Sequence, residues 1–131
     1  MNALSNSLNE ALEQMPGCVF VGYLDLSVGM VLGSAALGEI PEELQENLGV
    51  SALNYLNGKS VRALAESLGG SSESFDEALV AVGGATHVFI RLPERPNHVL
   101  CFMFPGEGDP RPLLQIARQT VESFSLPDFL E

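Results

Sequence analysis

Residues 17–33 read GCVFVGYLDLSVGMVLG. An apolar run is followed by a single Asp25, a short break at Ser27, Val28 and Gly29, and a second apolar run. The break is short enough for a hairpin, and Gly29 can take the positive φ that such turns need. The pattern predicts two antiparallel strands, over 17–26 and 30–37. In the first, alternation places Cys18, Phe20, Leu24 and Leu26 on one face and Val19, Val21 and Tyr23 on the other. Both faces are apolar, which predicts a strand covered on both sides. A catalytic carboxylate needs a partner within reach. Asp25 shows none, and its predicted role is to accept backbone N–H groups in the turn. Gly33, Ser34, Ala35 and Ala36 are small enough to let a helix or another chain pack close.

N-terminal to this hairpin, Leu4, Leu8, Leu12 and Met15 recur at helical spacing, and Pro16 with Gly17 ends that first helix. Pro41 opens a second helix, where its missing N–H costs nothing. Glu42, Glu43 and Glu46 lie in its first turns, where the helix dipole favours negative charge. Leu44, Leu48, Ala52 and Leu56 carry the apolar period, which resumes at Val61, Leu64, Ala65 and Leu68. The expectation is one helix over 41–68, or two with a kink at Gly58. A third strand ends at Val82, with Ala78, Val80 and Val82 on one face. Gly83 and Gly84 form a tight turn before a fourth strand over 86–92. A proline-marked loop over 92–97 leads to a fifth strand over 98–104. Asp109 is a good N-cap and Pro110 fits the first helical position. Leu113, Ile116, Ala117, Val121 and Phe124 then form the apolar face of a closing helix. The order is α-β-β-α-β-β-β-α. The fold class is therefore an α/β (α+β) sandwich with a single five-stranded antiparallel sheet and helices available for both faces. One domain spans 1–131, with its core over about 4–124 and an acidic tail over 125–131.

Composition bounds the partners. Net charge is −11, and residues 1–58 carry seven Asp or Glu with neither Lys nor Arg. Nucleic acid needs clustered cations to displace its counterions, so it is excluded as a partner. An anionic membrane surface is disfavoured for the same reason. A basic protein surface is compatible. The charge also keeps the protein dispersed. Cys18 and Cys101 sit in apolar runs and read as buried free thiols, suited to a reducing cytoplasm. The first 15 residues lack the features of a secretory signal, and no uncharged apolar run approaches the roughly 20 residues that span a bilayer.

No constellation for chemistry emerges. Gly106 and Gly108 precede a helix but lack the third Gly, the Lys and the Ser/Thr of a phosphate loop, and neighbouring prolines remove N–H donors. His87 and His98 would be close if their strands paired, yet a metal needs a third ligand. Ser71, Ser72 and Ser74 read as a loop. No catalytic residue, metal or cofactor is expected. Arg91 and Arg95 are assigned to strand-edge solubility ahead of partner contact. Glu42, Glu43 and Glu46 are the partner-binding candidates beside their role in the helix dipole.

The element order, with GCVFVGYLDLSVGMVLGS, the long second helix, EALVAVGGATHVFIRL, HVLCFMF and a closing helix, resembles the roadblock/dynein light chain superfamily, especially its bacterial members. The resemblance covers roughly residues 4–124. The loop PGEGDPRP is richer in Pro and Gly than the family pattern. The resemblance implies a profilin-like roadblock architecture. It also implies a homodimer in which second helices pair and third strands meet edge to edge. The implied interface residues are Leu48, Tyr55, Leu56, Ala78, Val80 and Val82. Family members regulate small Ras-like GTPases or serve as dimeric adaptors. The expected function is thus a cytoplasmic, non-enzymatic regulatory module that binds a Ras-like GTPase. The alternatives are a light-chain-like adaptor without nucleotide preference and a small-molecule sensor.

Overall fold

A computed structural model describes residues 3–57, 76–82, 84–106 and 109–124. The elements are α1 (Ala3–Gln14), β1 (Phe20–Asp25), β2 (Met30–Ala36), α2 (Glu42–Asn57), β3 (Glu77–Val82), β4 (Ala85–Leu92), β5 (Arg95–Pro105) and α3 (Arg111–Ser123). The five strands form one antiparallel sheet in the order β2-β1-β5-β4-β3. The continuity of the second helix at Gly58, its apolar positions beyond 57, the serine loop and the acidic tail lie outside the described residues.

Alternation along the strands divides the core into two layers. Val21 and Tyr23 of β1, Val88, Ile90 and Leu92 of β4, and Leu100, Phe102 and Phe104 of β5 face α1 and α3. Phe20 and Leu24, Phe89, and Val99, Cys101 and Met103 face α2. The expected sandwich is therefore present, with two helices on one face and α2 on the other. Leu4, Leu8, Leu12 and Met15 are all buried, as their spacing predicts. Fully burying a side chain of this size stabilises by about 1.5–3 kcal/mol.

The hairpin has its expected turn. Gly29 has φ +66°, and Asp25 Oδ1 accepts the backbone N–H of Ser27 at 2.9 Å and its hydroxyl at 2.6 Å. The bond from the Ser27 hydroxyl, with the Ser27 N–H, holds the Asp25 carboxyl below the usual carboxylate range, against the opposing effect of burial. The small residues of β2 also act as expected. A β-carbon on Gly33 would lie 2.9 Å from a methyl of Leu4 and 3.3 Å from one of Leu8, so the glycine lets α1 seat closely without these side chains having to shift.

Four expectations are corrected. Cys18 lies in the layer of Val21 and Tyr23, and Val19 in that of Phe20, the reverse of simple alternation. Regular strand begins only at Phe20, and the preceding turn, closed by Cys18 N–H bonding to Met15 O, resets the side-chain phase. The loop over 92–97 is shorter than its prolines suggest. Leu92 pairs with Arg95 across a turn at Pro93 and Glu94, and Pro96 sits within β5. Arg91 does not solubilise an edge. Its strand β4 is flanked by β5 and β3, and its mostly buried side chain bonds to Pro96 O and lies 3.6 Å from Asp76. Helix α3 also departs from expectation: Pro110, not Asp109, takes the N-cap position, without a side-chain cap bond, and its carbonyl accepts the N–H of Leu114, while Asp109 Oδ1 accepts the N–H of Arg111 at 3.0 Å from one residue outside.

Candidate protein interface

The sheet order leaves β2 and β3 at its two ends. Among the described residues β3 pairs only with β4, through a register that sets Ala78 opposite Phe89 and Val80 opposite His87. Ala78 and Val80 are half-buried and pack towards the α2 layer, while Leu79 packs towards α3. Val82 holds its place in the ladder opposite Ala85. A short apolar strand with a free edge is a template for pairing with another chain.

The helix on the same side of the sheet divides its apolar residues. Leu48, Ala52 and Leu56 are buried in their own chain against Phe20, Phe89 and Met103. Leu48 and Leu56 therefore anchor α2 to the sheet and have little surface left for a partner. Tyr55 differs. It remains 39% exposed while its ring lies over Phe89, with centroids 5.7 Å apart and planes tilted by 53°. Such a half-exposed aromatic on a rigid base suits an interface anchor. Helical spacing in the sequence does not distinguish Tyr55 from its neighbours; the exposure does.

Glu42 and Glu43 stand in the first turn of α2, and Glu43 is exposed. Glu46 follows one turn on. The acid candidates thus share the N-terminal end of the helix, away from Tyr55 near its C-terminus.

The histidines are not brought together. His87 pairs with Met103, whereas His98 pairs with Asp25 at the far end of β5. His98 Nδ1 instead shares a hydrogen bond with the buried Tyr23 hydroxyl, and the two rings meet edge to face at 5.1 Å. Phe124 stacks on the same tyrosine at 6.0 Å. Burial lowers the His87 pKa and raises those of Cys18 and Cys101. Among the described residues no group of three His, Cys, Asp or Glu could hold a metal ion. A groove of about 550 Å³ runs between α3 and the β4–β5 turn, floored by Ile90, Leu92 and Val121. On its rim Arg118 is committed to Glu77 by a two-pronged ion pair at 2.6 and 2.7 Å. Among the described residues no helix is long and apolar enough to cross a membrane.

Comparison with solved structures places this architecture. A Roadblock/LC7 domain from Streptomyces avermitilis superposes with a TM-score of 0.69 at 12% identity, over 93% of this chain and 94% of that one. This is the roadblock fold. The gliding protein MglB from Thermus thermophilus has the same roadblock architecture, with a TM-score of 0.70 at 18% identity over 95% and 90% of the two chains. An MglB in a tetrameric arrangement gives 0.69 at 19% identity, over 95% and 89%. No protein-family model matches the sequence, and no curated protein matches it either. The roadblock likeness therefore lies in backbone architecture, with little sequence in common.

Proposed function

We propose that this roadblock-fold chain is a non-enzymatic regulatory module that forms a homodimer and binds a small Ras-like GTPase. The observation that carries the reading is the likeness to MglB over nine-tenths of both chains. The outer edge of β3, unpaired among the described residues, and the half-exposed Tyr55 on the same side of the sheet support the dimer. In it, β3 edges meet through the strand of Ala78, Val80 and Val82. Tyr55 contacts the partner helix, and Leu48 and Leu56 hold α2 in place from beneath. Glu42, Glu43 and Glu46 present the acidic face that receives a basic surface of the GTPase. The module acts by positioning the GTPase's own groups. An adaptor indifferent to nucleotide is the second reading, favoured by the tetrameric arrangement of one MglB.

The test is a nucleotide-dependent capture. The immobilised protein is exposed to lysate of its source organism, loaded with a non-hydrolysable GTP analogue or with GDP. Retention of a small GTPase in the analogue arm supports the regulator. Retention of partners without nucleotide preference supports the adaptor. Full retention by a Glu42→Lys, Glu43→Lys, Glu46→Lys variant removes the acidic face from the mechanism.

A further inference from the structure

A second surface lies across the sheet from α2. The groove of about 550 Å³ between α3 and the β4–β5 turn continues into a basin of about 240 Å³, since Leu92, Pro93, Val121 and Glu122 line both. Its floor belongs to the layer under α1 and α3. Ile90, Leu92 and Val121 are core residues of that layer, and Phe124 packs against it. Pro93 and Pro96 add exposed apolar walls. An apolar floor of this extent with a few polar groups on its rim is the usual make-up of a binding site. Two joined basins form a trough, which fits an extended chain better than a compact molecule.

The charges that line the trough select its occupant. Arg91 and Arg118 are matched within it: Arg91 lies 3.6 Å from Asp76 and bonds to Pro96 O, and Arg118 is held by Glu77. Glu94 and Glu122 differ. Both are exposed, both line the smaller basin, and among the described residues neither carboxylate enters an ion pair. Arg95 follows Glu94 in the chain but lines neither basin, and its charge acts on Tyr23. Two unmatched carboxylates over an apolar floor favour a cation with aliphatic neighbours and repel anionic surfaces. A second copy of this chain is a poor source of that cation. Among the described residues every Arg already has a polar partner, Arg111 through Asp109 and Arg95 included. We propose that the trough docks an extended segment of a partner protein that carries Lys or Arg between aliphatic residues. The cation meets Glu94 and Glu122, and the aliphatic side chains cover Leu92, Val121 and Phe124. This docking requires neither a GTPase, nor the β3 edge, nor Glu42, Glu43 and Glu46.

The probe is a labelled peptide of alternating Leu and Lys, with a central Pro that keeps it extended, titrated by fluorescence anisotropy. A second peptide has every Leu replaced by Ser. The wild type is compared with a Glu94→Gln, Glu122→Gln variant and with a Glu13→Gln, Glu39→Gln variant. The latter loses the same charge at exposed positions that do not line the trough. Melting curves verify that all three are folded. Loss of two exposed charge pairs should weaken binding of the Leu–Lys peptide about tenfold in the first variant. The second variant should bind it as the wild type does, and the Ser peptide should bind poorly throughout. Amide resonances of Leu92, Glu94 and Val121 should shift on titration. Equal weakening in the two variants reduces the effect to overall charge and overturns the proposal. So does equal affinity for the two peptides, or a set of shifts confined to α2 and β3. Sedimentation supplies the remaining outcome: a mass that falls only in the Glu94→Gln, Glu122→Gln variant assigns the trough to a second copy and overturns a separate partner. A failed GTPase capture would leave the peptide result standing.

Discussion

The carbonyl oxygen of Gly29 and the α-carbon of Gly49 approach so closely that any side chain at position 49 would overlap the hairpin backbone: the first carbon would lie 2.1 Å from that oxygen. The contact joins the β1–β2 turn to the middle of α2. A glycine there costs the helix about 1 kcal/mol relative to alanine. The close approach explains why it is present.

Gly49→Ala is therefore a test of the packing. Overpacking against backbone costs about 3 kcal/mol, which outweighs the gain of about 1 kcal/mol in helix propensity. A net loss of about 2 kcal/mol corresponds to a fall in Tm of about 8 °C. Gly38→Ala is the control, because nothing lies within 4 Å of its added carbon. Its effect should be neutral or stabilising by about 0.5 kcal/mol. Equal melting of the two variants would refute the contact.

Acid should destabilise the fold through identifiable carboxylates. Asp25 is held below its ordinary pKa first by the Ser27 hydroxyl, Glu77 first by its hydrogen bonds from Arg118, and Asp109 first by those from Arg111. Each binds its proton less readily folded than unfolded. Their stabilisation is present above the ordinary carboxylate range of about 4 and is lost as pH falls through the lowered values. A melting series from neutral pH to pH 3 should show this loss. An Asp25→Asn, Glu77→Gln variant should melt lower at neutral pH and lose less on acidification; an unchanged pH slope would mean these carboxylates do not govern it.

Alkali should act through Tyr23. Burial pushes its hydroxyl up to about 12, helped by Asp25 and opposed by Arg95. Folded Tyr23 thus keeps its proton where the unfolded residue gives it up. That stabilisation is complete below pH 10 and declines as pH rises towards 12. Ultraviolet titration of the phenolate should find one of the two tyrosines ionising late or only with unfolding. Tyr23→Phe, which also forfeits the bond to His98, should cost about 1 kcal/mol at pH 7 and abolish the late phase. Survival of that phase would assign it elsewhere.

Sedimentation at micromolar concentration should give the wild type twice the 14.0 kDa chain mass. Tyr55→Glu should shift it towards the single chain, because a carboxylate on the exposed side of α2 enters the proposed contact unpaired. Its stability should fall only modestly, since Leu48, Ala52 and Leu56 still hold the helix. A wild type of single-chain mass would dispose of the dimer at once.

Much of this protein is determined by local sequence. The four apolar positions of α1, the Asp25–Ser27 turn with Gly29, and the Asp109–Arg111 contact each depend on residues within a turn or two of one another. Helical period, left-handed glycine and side-chain capping are short-range physics, legible without knowing what packs above them. The element order and the small-residue seat for α1 follow from the same signals. Tertiary structure decided the rest. Whether Cys18 or Val19 faces α1 depends on where the β1 ladder begins, and that is set by its bonding to β5. Whether Arg91 meets water depends on β4 lying inside the sheet. Leu48, Tyr55 and Leu56 share one helical pattern, yet the sheet beneath buries two and leaves the third partly exposed. Gly29 and Gly49 are 20 residues apart, and only the completed fold brings their backbones together. The division follows the range of the forces: turns and helices are chosen within a few residues, whereas burial, edges and surface patches exist only once distant segments have excluded water from between them.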